Sequence, residues 1–189
     1  MRFFLHLRPW PLFTLTFILP FGVMMASSMA LILRPLQPTA FILIYSCVML
    51  LLMGSLFGWL WTLGTYLARR LPAGTVAPVR WLHAALVLPG AYILLILGAL
   101  ATVVSTTAPA VQSAWALFIV PLHLLSMAGI LYSLQYVARA LRSVELQRPA
   151  QFSEFVGEFF LLWFYPVGIW FIQPRINRLF AHQPATLGP

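Results

Sequence analysis

The sequence predicts an all-α integral membrane protein, a four-helix bundle with both termini in the cytoplasm and an aromatic C-terminal hairpin that re-enters the membrane or lies on it. Three observations carry that prediction. Of 189 residues, 62% are hydrophobic and 7% charged, against about 25% charged in ordinary soluble domains. The apolar residues gather into four runs, each near the roughly 20 residues that a bilayer crossing needs. All eleven basic residues are arginines, and they fall between the runs.

The first run covers residues 11–33, between Arg2 and Arg8 on one side and Arg34 on the other. A basic start followed by Ala26, Ser27 and Ser28 also fits a cleaved signal peptide. Apolar character continues through Met29, Leu31, Ile32 and Leu33, which favours a retained span. The second run, 39–67, precedes Arg69 and Arg70 and exceeds the hydrocarbon thickness, so tilt is expected. Pro72, Gly74 and Pro78 mark a loop before the third run, 81–104. The uncharged stretch 105–112, with Thr106, Thr107 and Pro109, reads as a short outer turn before the fourth run, 113–137. Arg139, Arg142, Glu145 and Arg148 then recur at three-residue steps, predicting two to three further helical turns until Pro149 stops them. Residues 1–148 thus form the bundle and 149–189 a membrane-associated segment, with no room for a separate soluble domain.

Orientation follows from the arginines, because basic residues in short loops stay on the cytoplasmic side. A cytoplasmic start puts Arg2, Arg8, Arg69, Arg70, Arg80, Arg139, Arg142, Arg148, Arg175 and Arg178 inside and Arg34 alone outside. Trp10, Tyr66, Trp81 and Tyr136 then fall at the inner boundary and Trp115 at the outer one, where amphipathic rings are favoured.

Helices in lipid associate through close backbone approach, which small residues permit. Gly54 and Gly58 form one such pair, and Gly22, Ala26 and Ala30 line one face of the first span. They are expected to pack on each other within the bundle, the alternative being a homodimer seam. Pro20, Pro89 and Pro121 fall inside spans and predict kinks.

The net charge of +8 permits nucleic-acid binding in principle, but the arginines form no stripe beside stacking aromatics, and no nucleic-acid partner is expected. Aspartate is absent, and the carboxylates are Glu145, Glu154 and Glu158. No His-Glu-x-x-His, Gly-x-Ser-x-Gly or phosphate-loop motif occurs, so neither enzymatic activity nor a cofactor is predicted. Cys47 lies in an apolar run and reads as a packing residue. His123, mid-way along the fourth span, is the candidate polar residue, with Ser126 and Ser133 expected on the same side. It either relays a proton or hydrogen-bonds across a helix interface. Bis-histidine haem fails, because His83 and His123 differ in depth by roughly 15 to 20 Å at 1.5 Å per residue.

Between Phe152 and Gln173 the chain carries nine aromatic residues, ending in Trp163-Phe164-Tyr165-Pro166-Val167-Gly168-Ile169-Trp170-Phe171-Ile172-Gln173-Pro174. This run resembles the C-terminal part of uncharacterised small bacterial polytopic membrane proteins. The resemblance implies a bacterial inner membrane and carries no activity. A fifth crossing would put Arg175 and Arg178 outside, so a hairpin broken at Pro166 and Gly168 is preferred. It would set Glu158 opposite Arg175 and Glu154 opposite Arg178. The expected function is noncatalytic: a binding or assembly subunit that meets the lipid bilayer and either a membrane-protein partner or a second copy. The alternative is a small oligomeric transporter or channel using His123.

Overall fold

A computed structural model describes residues 3–33, 38–72, 74–105 and 109–181. Arg2, Arg34, Thr106, Thr107 and His182 lie outside the described residues. Within them the chain is all-helical. A short α1 (Phe3–His6) leads to α2 (Pro9–Phe13), which passes through a π-helical turn (Thr14–Ile18) into α3 (Leu19–Leu33). Then come α4 (Pro38–Ala68), α5 (Val79–Ser105), α6 (Pro109–Leu146), α7 (Phe152–Trp163) and α8 (Tyr165–Ala181). Four helical segments, Pro9–Ala30, Ala40–Ala68, Val79–Leu100 and Leu117–Leu146, are long and apolar enough to cross a membrane.

One of the three span prolines is accompanied by a change in helix type. Pro20 cannot donate a backbone hydrogen bond, and its ring crowds the preceding turn. The helix answers with the π turn, in which the Leu19 N–H reaches back to the Thr14 carbonyl, five residues away. Pro89 and Pro121 sit inside continuous helices. The extension of α6 runs the two to three turns expected and ends at Leu146, two residues before Arg148, the last member of the charge pattern. Gln147 then takes a left-handed φ of 55° and donates from its side chain to the Val144 carbonyl. That turn reverses the chain toward α7.

The bundle packs α4, α5 and α6 together, and their close approach rests on glycines other than the predicted ones. A Cβ on Gly129 would stand 2.7 Å from the Ala85 carbonyl oxygen, and one on Gly64 would meet the Leu82 side chain. Gly22, Ala26, Ala30 and Gly54 instead face outward, and neither Gly22 nor Gly54 has an atom within 4 Å of an added Cβ. A Cβ added at Gly58 would lie 3.4 Å from the Phe4 ring. The expected mutual face within the bundle is therefore corrected. Spacing identifies faces that allow close approach, and lipid or protein can occupy them equally well. Cys47 is corrected too: it is exposed, on the wall of an apolar groove between α3 and α4 lined by Pro20, Val23, Leu43 and Leu51.

Helices α7 and α8 form an antiparallel hairpin, since Leu161 meets Gly168 and Glu158 meets Arg175. The reversal lies at Phe164, two residues before the predicted break. Pro166 is the second residue of α8, where a missing N–H leaves no hydrogen bond unmade. Gly168 serves the crossing, because its bare Cα lies against the Leu161 carbonyl. One face of the hairpin is buried at helical spacing: Phe155 and Leu162 on α7, then Tyr165, Ile169, Ile172, Ile176 and Phe180 on α8. Phe160, Trp163, Phe164, Val167 and Phe171 point outward.

Tertiary contacts bring the charged segments to one end of the bundle. The Arg70 guanidinium donates to the Leu179 carbonyl and stacks on Phe180, placing the end of α8 beside the end of α4. Tyr136 Oη donates to the Ala77 carbonyl, which sets α6 against the α4–α5 loop. Arg8, at the start of α2, joins them through α1, whose backbone is held by α8.

Candidate functional site

The polar groups cluster where the hairpin meets this arginine-rich end, and α8 organises them. Gln173 is fully buried and occupies a polar position on an otherwise apolar face between Ile169, Ile172 and Ile176. Its Oε1 accepts from the Trp59 indole Nε1–H at 2.9 Å, and its Nε2 donates to the carbonyls of Phe4 at 2.8 Å and Leu7 at 3.0 Å. The Leu7 carbonyl also accepts from Asn177 at 3.1 Å, and Tyr165 packs edge-on against Trp59. One amide thereby ties α1, α4 and α8 together. The sequence reading did not single out Gln173. A polar residue at an inward helical position was the available signal.

Two residues later Arg175 bridges two carboxylates. Its Nε donates to Glu145 Oε1 at 2.7 Å, its Nη2 to Glu145 Oε2 at 2.5 Å and to Glu158 Oε1 at 2.8 Å. Arg142 also donates to Glu145, at 3.1 Å. The predicted pairing of Glu158 with Arg175 is present, and Glu145 from α6 joins it as a third member. Chiefly because of Glu145, the Arg175 guanidinium holds its proton above the ordinary arginine value, despite partial burial. Glu158 and Arg175 should couple by about 2 kcal/mol in a Glu158→Gln, Arg175→Met cycle, as contacting groups in one network do. Thermal unfolding in detergent measures it, and additive losses would refute the coupling. Charge reversal is a poorer test, because Arg175→Glu would face Glu145.

Glu154 meets Arg148, not the expected Arg178. Arg148 Nη1 donates to Glu154 Oε2 at 3.0 Å, and the Gln151 N–H donates to the same carboxylate at 2.8 Å. Two geometric facts explain the change. The hairpin turns earlier than predicted, which alters its register, and Glu154 occupies the first turn of α7, where a carboxylate caps free backbone N–H groups. Arg148 and then Gln151 hold the Glu154 carboxyl down, at about 2. A depressed carboxyl stabilises the fold above its unfolded value, about 4.3, and loses that effect as pH falls through the folded value. The protein is therefore expected to lose stability between about pH 4.3 and 2, and Glu154→Gln should flatten that part of the profile measured by thermal unfolding. An unchanged profile would refute the assignment.

His123 lies elsewhere, exposed on the outside of α6. Its Nδ1 is 3.0 Å from Tyr92 Oη of α5, with the rings edge to face. Ser126 and Ser133 turn inward, and each donates to the carbonyl four residues earlier in its own helix. The expected polar lining is thus not formed. Ser55 and Thr62 likewise bond within α4. His83 stacks flat on Trp61 at 3.7 Å, with Nε2 3.0 Å from Thr65 Oγ1. Among the described residues, no group of three His, Cys, Asp or Glu side chains is arranged to hold a metal ion.

The class of protein that these features define is an all-helical bundle with four helices long and apolar enough to cross a membrane. No protein-family model, curated protein or solved structure matches the chain.

Proposed function

We propose that the protein is a noncatalytic assembly subunit of a membrane complex, inserted in a bacterial inner membrane with four spans and both termini in the cytoplasm. The outward position of His123 carries this reading. A transport path needs polar groups facing a shared interior, whereas His123 and Tyr92 present theirs at the periphery, and the hydroxyls of Ser55, Thr62, Ser126 and Ser133 are consumed within their own helices. A polar group facing lipid gains by meeting a partner helix. The small outward residues Gly22, Ala26 and Ala30 and the groove beside them support the same reading, since they leave room for another backbone. The hairpin, with nine described arginines at its end of the bundle and aromatics at its tip, acts as a re-entrant plug in the inner leaflet.

The expected result is that mild-detergent purification recovers a stoichiometric membrane protein, and that His123→Ala together with Ala26→Leu releases it. If the purified chain alone carried a flux in liposomes that His123→Ala abolished, the transporter reading would replace this one. A cysteine at Gly74 in a Cys47→Ser background should resist impermeant reagents in intact cells, and ready labelling would reverse the orientation.

A further inference from the structure

The arginine-rich end is divided in a way that its sequence count conceals. All three carboxylates stand on the α6–α7–α8 side, where they pair with Arg142, Arg148 and Arg175. At the α4–α5 loop, and at Arg139 of the neighbouring α6, the charges are uncompensated: among the described residues, no carboxylate lies within 4 Å of Arg69, Arg80 or Arg139, and all three are exposed. Topology alone would be served by any distribution of these charges. Packing has sorted them into a neutralised half and an uncompensated half.

The uncompensated half has defined geometry. Thr65 of α4 meets His83 of α5, so the two antiparallel helices bring Arg69 and Arg80 to matching heights on either side of the loop that joins them. Tyr136 holds that loop through the Ala77 carbonyl, and Arg139 follows one turn later on α6. Each of the first two guanidiniums is backed by an aromatic ring: Arg69 lies 5.3 Å from the Tyr66 centroid and Arg80 5.9 Å from that of Trp81. Trp81 faces outward, and rings of this kind settle at the boundary between hydrocarbon and headgroups. The outer face of α5 continues from it as Ala84, Val87 and Leu94, all exposed, a surface suited to acyl chains. Guanidinium forks match the oxygens of a phosphodiester.

We infer that Arg69 and Arg80, with Arg139 beside them, form a binding site for the phosphodiester headgroup of an anionic phospholipid, whose acyl chains lie along α5. The inference rests on the membrane reading above. The neutralised half does not share this preference, because its guanidiniums are already occupied by carboxylates.

Native mass spectrometry of the full chain, released from mild detergent in the presence of equal phosphatidylglycerol and phosphatidylcholine, tests it. Wild-type protein should retain phosphatidylglycerol by at least about tenfold over phosphatidylcholine, because basic residues at the headgroup level attract an anionic lipid over a zwitterionic one. Arg69→Gln with Arg80→Gln should abolish the preference, and Arg148→Gln should leave it intact. Equal retention of the two lipids, or a preference that survives the double substitution, would overturn the site. Displacement of the lipid by millimolar inorganic phosphate would overturn the lipid assignment in favour of a free anion. Carbonate extraction of cell membranes separates this outcome from failure of the membrane reading: a chain that washes off was never inserted, whereas an inserted chain without lipid preference defeats only this inference.

Discussion

Gln173→Leu is expected to lower stability by about 3 kcal/mol and to release the N-terminal segment from the bundle. The substitution conserves volume approximately but removes both ends of the amide. The Trp59 indole N–H and the Phe4 carbonyl then lose their partners, and an orphaned buried polar group costs about 1–3 kcal/mol. Leu7 keeps the Asn177 contact, which limits the loss. Gln173→Glu should cost at least as much, since it keeps an acceptor for Trp59 but sets a buried carboxylate oxygen against the Phe4 and Leu7 carbonyls. Thermal unfolding in detergent gives the magnitude, and limited proteolysis near residues 6–9 reports release of α1. Stability within experimental error of wild type would show that the amide does not clasp the three helices.

Gly168→Ala should cost about 3 kcal/mol and open the hairpin, although alanine is ordinarily the better helix former by up to about 1 kcal/mol. The added Cβ would run directly into the Leu161 carbonyl oxygen. Backbone cannot rotate aside as a side chain can, so α8 must shift from α7 and the Glu158–Arg175 contact must lengthen. Gly129→Ala meets a carbonyl at 2.7 Å and should cost less, while Gly64→Ala meets the movable end of Leu82 and less still. Gly54→Ala meets nothing and should be neutral or slightly stabilising in the isolated protein. The opposite signs at positions 168 and 54 make the comparison decisive. A stabilising Gly168→Ala would disprove the close crossing.

The pairing of Glu158 with Arg175 was legible because both residues flank one obvious break, and an error of two residues in that break left the longer Arg175 side chain within reach. The same error changed the partner of Glu154, whose nearer neighbour in the chain, Arg148, is presented by the turn at Gln147. His123 was legible as unusual and its direction was not, since a uniformly apolar helix has no polar face to orient it. The glycines show the same limit. Gly54 and Gly58 have the spacing of a contact motif, but the crossings at which a Cβ would meet backbone fall at Gly129 and Gly168, which belong to no pattern readable along one helix.

Composition and hydrophobic run length by themselves determined the helical class, the four apolar segments and the arginine-rich loops, because each depends only on local burial in an apolar solvent and on residue count. They also determined the extension of α6, which a three-residue charge period encodes. Only the tertiary structure decided which small residues face protein and which face outward, that Gln173 joins three helices, and that the carboxylates neutralise one half of the arginine-rich end. Those outcomes depend on the rotation of each helix about its own axis. In chains that are apolar all round, that rotation is set by the shapes of neighbouring helices, because no stripe of polarity distinguishes the inside from the outside.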